Sequence, residues 1–158
     1  MGAAPEEMVA LADRPRNINE VIVATLLLGA ALLLIEVRFE HRDVLGDTWV
    51  AWIPLVCAAL LLAGGGIALV FWHCGGRRVL AALFALSFVT GAVGLWFHSG
   101  GHPFRQTANA LSAWTLKPGD TGKEPVGSEP PPFAPAAFSG LGLVGLIACL
   151  TPPRGDQR

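Results

Sequence analysis

Glu36 and Glu40 stand four residues apart, His41 follows directly, and His98 and His102 repeat the four-residue spacing later in the chain. Carboxylates and imidazoles are the ligand types of a transition-metal site, so Glu36, Glu40, His41, His98 and His102 are the candidate metal ligands. A haem needs two histidines that face each other from two helices at one depth, and His41 with His98 comes nearest to that. The same residues have a plainer structural reading. Arg38 and Arg42 are close enough in sequence to neutralise both glutamates in an ion-pair network, and Gly100, Gly101 and Pro103 oppose a helical His-x-x-x-His. Glu36 and His98 would then form a hydrogen-bonded structural pair. His73, Cys74 and Cys149 could gather thiolates and an imidazole, but there is no Cys-x-x-Cys spacing, and buried apolar thiols are the commoner case. Nucleophile elbows, phosphate-binding glycine loops and zincin helices are absent from the sequence.

The elements that must position these residues are apolar. Of 158 residues, 53% are hydrophobic and 15% charged, and the mean hydropathy is +0.53, an apolar excess too large for an ordinary soluble domain. Four segments, at about 18–38, 48–72, 79–98 and 133–150, match the roughly 20 residues that cross about 30 Å of hydrocarbon. The fold expected is all-α, a polytopic membrane protein with four transmembrane helices packed as a bundle, flanked by polar tails at 1–17 and 151–158. Trp49, Trp52, Trp72, Trp96 and Trp114 all fall at or just outside segment ends, where amphipathic rings favour the headgroup region. The first segment is preceded by Glu6, Glu7, Asp13 and Glu20 and ends in Glu36-Val37-Arg38-Phe39-Glu40, without a small-residue cleavage site, so it reads as a helix of the mature chain. Counted from Ile18 and from Val79, Glu36 and His98 end at nearly the same depth.

Orientation follows from the basic residues. An even number of crossings places Arg14, Arg16, Arg77, Arg78, Arg154 and Arg158 on one side and Arg38, Arg42, Arg105, Lys117 and Lys123 on the other. The short His73–Arg78 connection, with two arginines and no acid, points to cytoplasmic N and C termini, and the excess of arginine over lysine with short loops points to a bacterial inner membrane. The long connection between the third and fourth spans reads in two parts. Residues 103–116 place Phe104, Ala108, Leu111 and Trp114 at helical spacing, predicting a short interfacial helix. Residues 117–132 are rich in proline and glycine and predict a flexible outer link.

Small residues four apart (Ala59 and Ala63, Ser87 and Gly91, Thr90 and Gly94, Ala136 and Gly140) let helix backbones approach each other, or a partner subunit. Gly64-Gly65-Gly66 marks either a close crossing or a local break able to line a cavity. With a net charge of −1, no basic field is available for nucleic acid, and the partners expected are the lipid bilayer, other membrane subunits or a second copy. The spans carry almost no ionisable residue with which to do transport or proton work. The sequence therefore favours a non-catalytic subunit or scaffold that anchors or stabilises a membrane complex. A redox protein with haem or a transition metal at the His/Glu cluster is the alternative, and a small transporter, suggested by the triple glycine, is third.

Overall fold

The computed structural model describes residues 17–105, 107–108 and 134–152, and these are all-helical with turns between the helices. Four main helices follow one another: α1 (Ile18–Glu40), α2 (Trp52–Val70), α3 (Gly76–His98) and α4 (Ala134–Leu150). α1 packs on α2 and α4, and α3 packs on α2 and α4. Three spans, Ile18–Glu40, Trp49–Val70 and Gly76–His98, are long and apolar enough to cross a membrane. α4 is apolar but has 17 residues, about 25 Å of helix at 1.5 Å per residue. It lies at the short end of the spanning range. The expected interfacial helix at 103–116 is helical at 103–105 and 107–108. Its remainder, the link at 117–132, Trp114, the tail at 1–16 and residues 153–158 lie outside the described residues.

Each boundary has a local cause. Asn17 is extended and its side chain accepts from the Asn19 backbone N–H at 3.2 Å, capping α1. Trp49–Ala51 form a short 3-10 turn capped by Thr48, so α2 proper begins four residues later than the hydropathy suggests. α3 begins at Gly76, three residues before the expected start. Gly75 adopts φ +95°, which a residue with a Cβ rarely takes, and the Gly76 N–H donates to the Phe71 carbonyl at 2.9 Å. A Cβ on Gly76 would collide with the backbone of Ala68 and Phe71. This glycine pair reverses the chain within a few residues and puts Arg77 in the first turn of α3 instead of a polar loop.

That placement locks one end of the molecule, called here the terminal end. Arg77 donates through Nε to the Cys149 carbonyl and through Nη2 to the Thr151 carbonyl at 3.2 Å, and Asn19 Nδ2 donates to the same Thr151 carbonyl at 3.0 Å. The last carbonyls of a helix lack intrahelical partners and carry its negative dipole end, so a guanidinium there serves both needs. Arg77→Gln is expected to cost about 1–2 kcal/mol in detergent-unfolding titrations, against less than about 0.5 for Arg78→Gln, because Arg78 is exposed.

The main core joins all four helices through Val23, Leu27, Leu61, Leu80, Phe84 and Cys149. A second cluster towards the opposite, distal end joins Val37, Leu55, Cys57, Ala58 and Phe138. Trp72, just past the end of α2, is buried in the main core, whereas Trp49, Trp52 and Trp96 are exposed. The glycine run Gly64–Gly66 stays within continuous α2. Gly65 meets the Leu27 side chain there, so the run marks a close crossing and not a break.

Candidate functional site

The distal end is where α1 stops, α2 starts, α3 stops and α4 starts. On α1, Val37 is buried, and His41, four residues on, shares its face. Glu36 and Glu40 share the neighbouring face, which is exposed. The helix therefore turns the imidazole inward and both carboxylates outward. The His41 Nδ1 lies 3.1 Å from the Val37 carbonyl. A carbonyl only accepts, so Nδ1–H donates, and in the neutral ring Nε2 carries the free lone pair.

His98, the last residue of α3, faces His41 with ring centroids 6.3 Å apart and planes inclined by 57°. Its Nδ1 is buried and has no hydrogen-bond partner among the described residues. A buried unsatisfied polar atom costs about 1–3 kcal/mol. The expected Glu36–His98 hydrogen-bonded pair is therefore replaced by a pair of imidazoles. The expected ion-pair network is also absent: among the described residues the ion pairs are Arg42–Asp43 at 3.5 Å and His73–Glu20 at 3.4 Å, leaving Glu36, Arg38 and Glu40 outside them. His102 is exposed beyond the Gly100–Gly101 turn. Among the described residues no group of three or more His, Cys, Asp or Glu side chains lies close enough to hold one metal ion. His73 and exposed Cys74 sit at the terminal end, with His73 turned to Glu20.

Beside the histidine pair is a partly open cavity of about 500 Å³. Its walls come from all four helices and from the α1–α2 connection: Val37 and His41, Val44 and Thr48, Ile53 and Pro54, Val89, Thr90, Val93, Phe97 and His98, then Pro135 and Phe138. The polar side chains of the lining are those of His41, His98, Thr48 and Thr90, and the lining holds no carboxylate, ammonium or guanidinium. A cavity of this size, mostly apolar with a few polar groups, has the make-up of a small-molecule site. No protein family, curated protein or solved structure matches the chain.

The floor of the cavity is held by the α3–α4 contact. Ser87 Oγ donates to the Phe138 carbonyl at 3.2 Å, and Ser139 Oγ donates back to the Phe88 carbonyl at 3.3 Å. Gly91 lies against Ser139 and Pro135, Gly94 against Pro135, and Gly142 against the backbone of Phe84 and Phe88. Ser87, Gly91 and Gly94 were legible as small residues at helical spacing. On α4 the expected contact at Gly140 meets nothing within 4 Å, and the packed positions are Ser139, Gly142 and Gly145. Spacing alone could not choose among them, since α4 has small residues on every face.

Proposed function

We propose that this chain is a four-helix integral membrane protein of a bacterial inner membrane, with cytoplasmic N and C termini, that serves as a non-catalytic subunit or scaffold anchoring a membrane complex. The observation that carries this reading is the apolar outer surface of the helices. Leu28, Leu32, Leu60, Ile67, Val89 and Ile147 are exposed, while Asn19 and Ser87 are buried and hydrogen-bonded between helices. Such a surface suits lipid or another apolar subunit. Ala59 and Ala63 remain exposed on α2 as a further place for close helix contact. In this reading α4 is the fourth crossing, and the terminal end, with Arg77 and Arg78, faces the cytoplasm.

Topology reporters test the orientation. A reporter fused after Arg158 is expected to report cytosol. A cysteine at Ser128, with Cys74 changed to serine, is expected to react with impermeant reagents from outside. Labelling only after permeabilisation would overturn the orientation. The subunit role is tested by the size of the particle released in mild detergent: a partner or second copy beyond the 16.6 kDa chain supports it, and a bare monomer refutes it.

The 6.3 Å approach of His41 and His98 favours, as a second reading, a metal or haem protein. Under the first reading, elemental analysis finds no stoichiometric copper, zinc or iron and the spectrum no Soret band. A stoichiometric metal lost on His98→Ala would move the protein into the redox class. The transporter reading loses its support, because Gly64–Gly66 forms a continuous helix.

A further inference from the structure

We propose that the distal cavity binds the head of a lipid-soluble quinone or its quinol, with His98 and His41 as the groups that recognise the head oxygens. The inference goes beyond the subunit reading and rests only on the spans lying in a membrane.

The lining decides the chemistry of the occupant. An ionic headgroup is disfavoured, since nothing charged lines the cavity to balance it and a charge buried in apolar surroundings needs a partner. A plain hydrocarbon chain would leave the polar side chains of the lining, His41, His98, Thr48 and Thr90, without a partner in the cavity. What remains is a neutral molecule with an apolar body and a hydrogen-bonding oxygen. Phe97 and Phe138 offer aromatic surface suited to a flat ring. The two histidines then divide the work by protonation. A quinone carbonyl accepts from an N–H of His98, and a quinol hydroxyl donates to the lone pair that His41 keeps at Nε2 while its Nδ1 is engaged with Val37. The partly open side of the cavity lets an isoprenoid tail leave into lipid.

The test uses the full-length protein in dodecyl maltoside micelles, with thermal unfolding followed by circular dichroism. The probes are a decyl-substituted benzoquinone, the same molecule held as hydroquinone by dithionite, and dodecylbenzene, which has ring and chain but no oxygen. Saturable stabilisation by the quinone and the hydroquinone is expected, with dodecylbenzene at least tenfold weaker. His98→Leu is expected to bind the quinone at least tenfold more weakly while melting no lower than the parent without ligand, since it removes an unpartnered polar atom. Val93→Trp, which places an indole in the cavity, is expected to abolish binding. Three results would each overturn the proposal: no saturable shift in the parent protein, equal stabilisation by dodecylbenzene, or undiminished quinone affinity in His98→Leu. Failure of the membrane reading would show separately, as protein recovered in the soluble fraction of the cells.

Discussion

Gly142→Val is expected to destabilise the protein by about 3 kcal/mol, at the upper end of what overpacking costs, while Gly140→Val changes stability by less than about 0.5 kcal/mol. The two positions are two residues apart on α4. A Cβ on Gly142 would meet the Phe88 nitrogen and lie 2.7 Å from the Phe84 carbonyl oxygen, whereas one on Gly140 meets nothing within 4 Å. The obstructing atoms are backbone, so no rotamer change relieves the clash and α4 must move away from α3. That movement also stretches the reciprocal Ser87–Phe138 and Ser139–Phe88 hydrogen bonds. Lipid gives no hydrophobic drive to push the helices together again. Dodecyl sulfate titration of both variants in mixed micelles measures the difference. Equal midpoints would show that the glycine face is not what holds α4.

The second large effect is at Phe84, whose side chain is fully buried among Leu80, Leu61 and Cys149. Phe84→Ala is expected to cost about 3–5 kcal/mol through lost contacts and the void left behind. Gly145 gives the argument a sharper form, because a Cβ there would run into the Phe84 ring. Gly145→Ala should therefore destabilise the parent protein by about 1–3 kcal/mol and be neutral or favourable once Phe84 is alanine. A double-mutant cycle reads this as a coupling of about 1–3 kcal/mol. Additive effects would place the ring and the glycine in independent surroundings.

The helices were legible in the sequence because long apolar runs and their end residues report directly on segment length. The pairing of His41 with His98 was legible too, as the two histidines on different spans nearest to one depth. The role of Glu36 was not. Depth along a helix is counted in residues, but facing depends on rotation, and Val37 shows which face is inside only once α1 has packed. The early start of α3 escaped because Arg77 and Arg78 depress local hydropathy, although arginines at a helix start can reach carbonyls of a neighbouring helix. The cavity had no sequence signal. It is the space left where four helix ends meet, and no single segment encodes it.

The fit of α4 against α3 has a consequence for how the chain is held together. Between His98 and Ala134 lie the 35 residues from Ser99 to Phe133. Extended, such a stretch could reach on the order of 100 Å, against the roughly 10 Å between packed helices. A covalent tether with that much spare length does not by itself fix the seat of α4. The register is written in Gly142, Gly145 and the two serines. A break in the tether would therefore leave two polypeptides that still know where to meet.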